Sequence, residues 1–255
     1  MGYDSIADKV VAIAGSGAGP GIGRELAVAF ARVGARLSLN LYREDDQDVD
    51  ALHAELGQTG SSVITYNADI SSEENADEFV ARTLAAYGRL DVLVNNTGIS
   101  TQALAHEMPL DVWQRMIDVN LTSIFLTTRA ALRVMIPRRS GRIINVASQI
   151  AQKGGVEHAH YAAAKAGVIA FTKSVALEVG DKGITANCIA PGPIDTRMMA
   201  SVHTTWKERK KAELALPQFG VPPEVAPTAL FLAAEPEGNL YTGQTLGPNC
   251  GDVMP

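Results

Sequence analysis

The stretch VVAIAGSGAGPGIG, residues 10–23, decides the fold of this 255-residue chain. Its first five residues are aliphatic, as in a buried strand, and every second residue from Gly15 to Gly23 is a glycine. From Ile22 onward, apolar residues recur at three- and four-residue spacing as far as Gly34, a pattern typical of a helix with a glycine C-cap. The stretch therefore predicts a strand, a turn and a helix.

A glycine-rich turn between a strand and a helix is suited to binding phosphate groups. Glycines let the backbone approach a pyrophosphate closely, and the amides at the helix N-terminus meet its negative charge. Arg24 and Glu25 follow Gly23, where an ATP-binding loop needs Lys and then Ser or Thr. An ATP-type loop is therefore excluded. The turn predicts a dinucleotide site, with a glycine turn that binds nothing as the alternative.

The rest of the chain continues to alternate short apolar runs with longer helical patterns. Such alternation favours a parallel sheet that is covered by helices. Strands are predicted at 10–14, 36–41, 62–66, 90–95, 142–147 and 184–189, and helices at 22–33, 48–58, 73–87, 111–136, 160–179 and 224–234. We expect an α/β fold with one Rossmann-type, doubly wound parallel sheet of about seven strands flanked by helices on both faces. Residues 1–255 are predicted to form a single catalytic domain, with a substrate lid at about 196–216.

Composition and charge exclude several other classes of protein. The chain is 46% hydrophobic and 20% charged, as in soluble globular proteins and unlike disordered chains. Its net charge of -6 lacks the basic surface that nucleic acids require. No signal-peptide pattern begins the chain, and no uninterrupted apolar run approaches the roughly 20 residues of a membrane span. We therefore expect a cytoplasmic protein with neither nucleic acid nor a membrane as a partner.

Three residues predict an acid–base site. Tyr161 and Lys165 are four residues apart where a helical pattern begins, so their side chains share one helix face. Tyrosine has an ordinary pKa of about 10, so it needs a nearby positive charge to act as a base near neutral pH, and Lys165 is placed to supply one. Ser148 follows the predicted strand 142–147 and lies at the carboxyl edge of the sheet, where ligands of open α/β sheets bind.

Together these motifs resemble the compact form of the short-chain dehydrogenase/reductase family over nearly the whole chain. The resemblance implies an NAD(P)-dependent oxidoreductase that interconverts a ketone and a secondary alcohol by hydride transfer, with Tyr161 as the general acid/base. It also implies that four residues form the catalytic tetrad of the family: Asn120, Ser148, Tyr161 and Lys165.

The resemblance also implies a set of cofactor contacts. The family's glycine motif maps onto Gly17, Gly21 and Gly23, although Gly15 takes the first role if the turn carries two extra residues. The implied contacts are Ser16, Gly17, Gly21, Ile22 and Gly23 in the turn, Asp69 and Ile70 near the adenine, Asn96 and Gly98 beside the sheet, Tyr161 and Lys165, and Pro191, Gly192, Ile194 and Thr196 flanking the nicotinamide.

The residues after the second strand bear on which dinucleotide is used. A basic residue there pairs with the 2′-phosphate of NADP, whereas an acidic residue binds the ribose of NAD. Arg43 favours NADP, but Glu44, Asp45 and Asp46 come next and either repel a phosphate or bind a ribose. A solvated charged loop without a ligand is a third interpretation. We predict NADP(H) in preference to NAD(H), through Arg43.

Several alternatives stay open at this point. We predict a free small ketone or secondary alcohol as substrate, because Leu177 and Glu178 offer no basic residue for docking an acyl-carrier protein. A 3-oxoacyl-carrier-protein reductase is one alternative, and a catalytically silent dinucleotide-binding sensor or scaffold is another. No metal is predicted, since His158 and His160 lack a placed third ligand. The helices at 111–136 and 160–179 resemble those through which family members form dimers and tetramers, which implies a homo-oligomer.

Overall fold

The computed structural model describes residues 3–200 and 203–254, apart from the side chains of Met198 and Ala200. In these residues, seven parallel strands form one sheet in the order β3-β2-β1-β4-β5-β6-β7. The strands are β1 Val10–Ala14, β2 Arg36–Leu41, β3 Val63–Asn67, β4 Val92–Asn95, β5 Gly141–Val146, β6 Ile184–Ile189 and β7 Thr245–Leu246. The strand order reverses between β1 and β4, which opens a crevice at their carboxyl ends. The predicted α/β fold is therefore confirmed.

Helices cover both faces of the sheet. They are α1 Ile22–Arg32, α2 Asp46–Gly57, α3 Glu73–Tyr87, α4 Leu110–Ile117, α5 Ser123–Arg138, α6 Ile150–Lys153, α7 Ala159–Val179, α8 Arg197–Ala200, α9 Thr204–Glu213 and α10 Ala226–Ala233. Phe30 of α1, Leu52 of α2 and Leu232 of α10 belong to the core on one face. Phe79 of α3 and Val175 of α7 belong to the core on the other face, so the sheet is a middle layer.

Strand β1 shows why its sequence is apolar at every position. Val11 and Ile13 point into the core formed with α1 and α2, whereas Ala12 and Ala14 point into the core formed with α3 and α7. Successive residues of a strand face opposite sides, so a strand covered by helices on both sides has no solvated face. The continuous apolar run at 10–14 is the consequence.

The last strand is short, and the segment predicted as a substrate lid is partly helical. The last strand contains only Thr245 and Leu246, because Gly243 has a φ of 69°, outside the extended region. The segment predicted as a lid, at about 196–216, contains helices α8 and α9, while Ser201 and Val202 lie outside the described residues.

Helices α4 and α5 are joined by one π-helical segment, Asp118–Thr122, into a continuous helix from Leu110 to Arg138. This helix is long and apolar enough to cross a membrane when judged by length and composition alone. However, 56% of its most apolar window is buried inside the protein, as in the core helix of a soluble domain. The helix is therefore only weak support for a membrane span.

Candidate active site

Asn120 lies within the π-helical segment, where the helix is locally widened. Such segments are frequent at functional sites. Its Nδ2 donates to the carbonyl oxygens of Ile99 at 3.0 Å and Met116 at 3.1 Å, which fixes the orientation of the side chain. Its Oδ1 is buried without a hydrogen-bond partner among the described residues and lies 2.8 Å from where a Cβ on Gly98 would be. The site thus contains an oriented acceptor that no described residue of the protein uses.

Lys165 reaches the same place from α7. Its Nζ donates to the carbonyl oxygen of Val146 at 2.9 Å and lies 3.4 Å from where a Cβ on Gly98 would be. The ammonium group is also 5.9 Å from the centre of the Tyr161 ring. Burial lowers the pKa of Lys165 to about 8, with a smaller opposing effect from Cys188. Gly98 therefore leaves room for Asn120 and Lys165 to approach each other.

Tyr161 and Ser148 complete the arrangement at the carboxyl edge of β5. Tyr161 is in the first turn of α7, one helical turn before Lys165, as its spacing predicts. Burial raises the pKa of Tyr161, and a hydrogen bond with Ser148 acts in the opposite direction. The Ser148 Oγ also accepts from the backbone amide of Ile150 at 3.2 Å, which orients it. A protonated phenol and a hydroxyl therefore lie together where a substrate oxygen can accept from both.

The segment after β4 ties this site to the sheet and to the glycine-rich turn. Asn95 donates through Nδ2 to the Asn145 Oδ1 at 2.8 Å and accepts from the Thr127 hydroxyl at 2.7 Å. Asn96 donates through its Nδ2 to the carbonyl oxygen of Gly15 at 2.7 Å. These contacts connect β4, β5 and the turn, so the acid–base residues and the predicted phosphate site share one rigid frame.

The glycine-rich turn is tightest at Gly15 and Gly23. Gly15 has a φ of 68°, and a Cβ there would lie 2.5 Å from the Thr97 Cα. A Cβ on Gly23 would lie 2.0 Å from the Ser16 carbonyl oxygen. At Gly17, by contrast, a Cβ would meet only Glu44, at 3.7 Å. The close approach to the sheet is therefore made by Gly15, which favours the mapping with two extra residues in the turn.

The other turn residues lie at the start of α1. Gly21 is the N-cap residue of this helix, and Ile22 is its first residue. Ser16 is buried, and its hydroxyl donates to the carbonyl oxygen of Gly17 at 3.3 Å. The turn therefore delivers the backbone amides of the helix N-terminus to the crevice between β1 and β4, which is the arrangement that suits a pyrophosphate.

The loop that follows β6 is held in place by residues that the sequence patterns did not indicate. Pro191 accepts a hydrogen bond from the backbone amide of Gln149 at 3.1 Å, and Gly192 donates to the carbonyl oxygen of Pro248 at 3.1 Å. A Cβ on Gly192 would lie 2.6 Å from the Asn249 Cα. No periodicity or motif connects positions so far apart in the chain, so only the fold reveals Gln149 and Asn249 as supports of this loop.

The remaining residues predicted to contact the cofactor differ in how deeply they are buried. Ile194 is buried and forms an isolated bridge with Gly220, whereas Thr196 is partly exposed just before α8. Asp69 and Ile70 follow β3. Ile70 is buried in the core, and the Asp69 carboxylate accepts from Arg115 at 2.9 Å. The side chain of Ile70 is thus used for packing.

The charged loop after β2 separates its basic residue from its acidic ones. Arg43 is exposed, with its guanidinium 4.9 Å from the centre of the Tyr42 ring. The Glu44 Oε2 accepts from the backbone amide of Ala18 in the glycine-rich turn at 3.1 Å. Asp45 is the N-cap of α2 and accepts from the backbone amide of Gln47 at 2.9 Å. Glu44 and Asp45 therefore have structural roles in addition to any contact with a ligand.

The two histidines before Tyr161 do not converge on a common point. His160 is fully buried, and its Nε2 lies 2.9 Å from the Thr101 Oγ1, which ties the loop after β4 to the start of α7. The His158 ring is 6.3 Å from the Tyr161 ring. Within residues 3–200 and 203–254, no group of three or more His, Cys, Asp or Glu side chains is arranged to hold a metal ion.

Comparisons with known proteins agree with this geometry. The family model described as short chain dehydrogenase matches residues 9–207. A 3-oxoacyl-[acyl-carrier-protein] reductase of Synechocystis is 40% identical over 94% of this chain and 95% of that protein. An acetoacetyl-CoA reductase of Shinella zoogloeoides is 37% identical over 94% of this chain and 97% of that protein.

The fold comparison extends the match to the three-dimensional structure. A double mutant of a Serratia marcescens short-chain dehydrogenase/reductase superposes with a TM-score of 0.91 and 29% identity, and the match covers 98% of this chain and 100% of that one. The protein is thus an oxidoreductase acting on a CH–OH or C=O group. The chain belongs to the short-chain dehydrogenase/reductase family.

Proposed function

We propose that this protein is an NADP(H)-dependent ketoreductase that reduces the 3-oxo group of an acyl thioester, with Tyr161 as the proton donor. The observation that carries the acid–base assignment is the convergence of Tyr161, Ser148, Lys165 and Asn120 at the carboxyl edge of the sheet. We further propose that the whole chain acts as one catalytic domain.

The residues present fit a nicotinamide dinucleotide. The amides of Gly21 and Ile22 at the start of α1 suit its pyrophosphate, and Asn120 and Lys165 meet beside Gly98 at the same edge of the sheet. Ser16, Gly17, Asn96, Asp69 and the loop at 191–196 are the further residues proposed to hold it. When bound, the nicotinamide exchanges a hydride with the substrate carbon.

Each residue of the site has a separate task in this proposal. Ser148 donates a hydrogen bond to the substrate oxygen, and Tyr161 delivers its phenolic proton to that oxygen as negative charge develops there. The Lys165 ammonium stabilises the phenolate that Tyr161 becomes. The unpartnered Asn120 Oδ1 accepts from a water that returns a proton towards Lys165. In alcohol oxidation the same groups act in reverse.

The names of the relatives support the substrate class. One is named a 3-oxoacyl-[acyl-carrier-protein] reductase and another an acetoacetyl-CoA reductase, and both names describe a 3-oxoacyl thioester. A free small ketone is the second candidate. Helix α7 favours this candidate. Leu177 is 88% exposed and Glu178 follows it, so these positions offer an apolar and an acidic side chain where an acidic carrier protein would need a basic one.

We also propose a homo-oligomer, as a tetramer or dimer, located in the cytoplasm. Large apolar side chains are exposed on the helices that resemble the family's assembly helices: Leu110 is 77% exposed, Phe125 is 42% exposed and Leu177 is 88% exposed. Sedimentation velocity tests this proposal. A stable monomer at micromolar concentration would contradict it.

A substrate panel tests the proposed function. In one series the protein is incubated with NADPH and either acetoacetyl-CoA, a 3-oxoacyl-carrier protein or a small ketone. In a second series it is incubated with the oxidised cofactor and secondary alcohols. Both series follow the absorbance of the nicotinamide band. We expect the highest kcat/KM with a 3-oxoacyl thioester. Turnover confined to small ketones would support the second candidate. Tight cofactor binding without turnover on any member would instead indicate a silent sensor or scaffold.

The cofactor preference is tested at Arg43. We expect Arg43→Ala to raise the Kd of NADPH by about tenfold, because a charge-assisted hydrogen bond to the 2′-phosphate contributes roughly 1.5–3 kcal/mol and this side chain is exposed. The Kd of NADH, which lacks that phosphate, is expected to stay within about twofold, since no such bond is lost. Fluorescence titration measures both. A wild-type protein that binds NADH as tightly as NADPH would refute the role assigned to Arg43.

A further inference from the structure

Arg197 makes a long-range contact that the proposed mechanism does not use. It is the first residue of α8 and directly follows Thr196 in the loop proposed to flank the nicotinamide. Its Nη2 lies 2.6 Å from the Asp48 Oδ2 in α2, although the two residues are 149 positions apart. The Arg197 side chain therefore connects the segment after β6 with α2, which follows β2.

The path of this side chain crosses the glycine-rich turn. A Cβ on Gly19 would lie 2.8 Å from the Arg197 Nη2 and 2.9 Å from the Asp48 Oδ2. The guanidinium and the carboxylate thus pack directly on the backbone of the turn at Gly19. Both groups are at the rim of the proposed pyrophosphate site, in contact with the segment that builds it.

The charges around the turn explain why a cation is needed there. Glu44 contacts the amide of Ala18, Asp45 is the N-cap residue of α2, and Asp48 lies in the first turn of that helix. The pKa of Arg197 is raised chiefly by its hydrogen bond with Asp48, and the charges of Asp48, Glu44 and Asp45 add to this effect. A dinucleotide carries negative phosphates, which these carboxylates repel. Arg197 is a positive side chain that reaches these carboxylates from a distant segment, in addition to Arg24, which donates to the carbonyl oxygen of Ala18 at 2.6 Å.

We propose that Arg197 is a cofactor-binding residue that contacts the pyrophosphate of the dinucleotide over Gly19, and that this contact does not require its ion pair with Asp48. The inference rests on the proposed dinucleotide site. Arginine suits this task because its planar guanidinium offers several donors to phosphate oxygens while keeping one donor for a carboxylate. The partners of Arg197 in this arrangement are two anions, the phosphate and Asp48.

A purely structural ion pair makes different predictions. The side chains of Arg197 and Asp48 are 62% and 25% exposed, and ion pairs at such positions contribute little to stability. If the pair only fastens α8 to α2, removing either partner has the same consequence. If Arg197 binds phosphate, removing Arg197 weakens binding, whereas removing the Asp48 charge lowers the repulsion and does not weaken it.

Fluorescence titration of the full-length variants distinguishes these possibilities. We expect Arg197→Gln to raise the Kd of NADPH and of NADH by about fivefold to tenfold, as for a lost charge-assisted bond at a partly exposed position. Asp48→Asn is expected to leave both Kd values unchanged or lower them. Arg209→Gln, which removes the same charge from an exposed position in α9, is expected to change neither.

A second set of measurements tests which part of the cofactor Arg197 contacts and whether each variant is folded. Because 2′-AMP lacks a pyrophosphate, Arg197→Gln is expected to leave its Kd unchanged, whereas Arg43→Ala weakens it. Gly19→Ala is expected to weaken NADPH binding as Arg197→Gln does, because its Cβ displaces the guanidinium. Thermal unfolding without ligand checks that each variant is folded.

Equal weakening by Arg197→Gln and Asp48→Asn, or equal weakening by Arg197→Gln and Arg209→Gln, would overturn the proposal. Unchanged binding by a folded Arg197→Gln variant would do so as well. If the wild-type protein itself binds neither NADPH nor NADH, the proposed function fails instead, so the two failures are distinguishable.

Discussion

Tyr161→Phe is expected to lower kcat for ketone reduction by about 10²–10⁴-fold, the usual contribution of a positioned general acid. Phenylalanine keeps the ring and its packing but has no proton to deliver to the substrate oxygen. Because the change removes one hydroxyl, we expect the Kd of NADPH to stay within about twofold of the wild-type value. Stopped-flow or steady-state absorbance of NADPH measures the rate, and fluorescence titration measures the Kd.

A matched control is available at Tyr87. Its hydroxyl donates to the carbonyl oxygen of Leu37 at 3.0 Å, near the amino end of β2 and thus at the opposite edge of the sheet from the candidate site, so Tyr87→Phe removes the same atom from another hydrogen bond. We expect near wild-type turnover from this control. If Tyr161→Phe retained more than about a tenth of the wild-type kcat, proton delivery by Tyr161 would be the wrong assignment, since general acids contribute more than that.

Lys165→Met is expected to lower kcat/KM by about 10²–10³-fold, because the charge that stabilises the Tyr161 phenolate is lost. The same variant is expected to fold as stably as the wild-type protein, or more stably, at pH 7. Lys165 is 3% exposed, and methionine fills a buried volume similar to that of the lysine chain without a charge to desolvate. Lys173→Met, which removes an exposed lysine from the same helix, is the control and should retain kcat/KM.

The pH dependence of stability separates these two effects of Lys165. Burial lowers its pKa from 10.5 to about 8, so below pH 8 the folded state carries the full cost of a buried charge. This cost is lost as the pH rises from 8 to 10.5, because the unfolded chain then binds more protons than the folded one. Relative to Lys165→Met, the wild-type free energy of unfolding should therefore rise by about 2 kcal/mol between pH 7 and pH 9.5.

Urea denaturation at the two pH values measures this difference. A constant offset between wild type and Lys165→Met from pH 7 to pH 9.5 would mean that the lysine is not held at a lowered pKa.

Most of the fold was predictable from local sequence because its signals are local. The aliphatic run before the glycine-rich turn and the helical spacing after it specify a strand, a turn and a helix within about 25 residues. The spacing of Tyr161 and Lys165 predicts a shared helix face, and the structure has both on α7. The ends of the strands were less predictable. Gly243 has a positive φ, so β7 begins only after it, and composition alone does not show where the strand begins.

Other features depend on contacts between distant segments. Gly15, rather than Gly17, is the glycine packed tightly against a neighbouring segment, because Thr97, which follows β4, lies against it. The orientation of Asn120 depends on a π-helical segment and on the carbonyl of Ile99. The Arg197–Asp48 contact joins two helices 149 positions apart. No repeat, spacing or composition of a single segment encodes such a meeting.

The sequence by itself determined the parallel α/β sheet, the glycine-rich turn and the protein family that the acid–base residues indicate, because each is a pattern of residues close together in the chain. The tertiary structure alone decided which glycine touches the sheet, which acceptor is left unused beside Lys165, and which arginine lies over the turn. These are properties of packing, set by which residues the parallel strands bring to one edge. Such positions are fixed only once the sheet has formed.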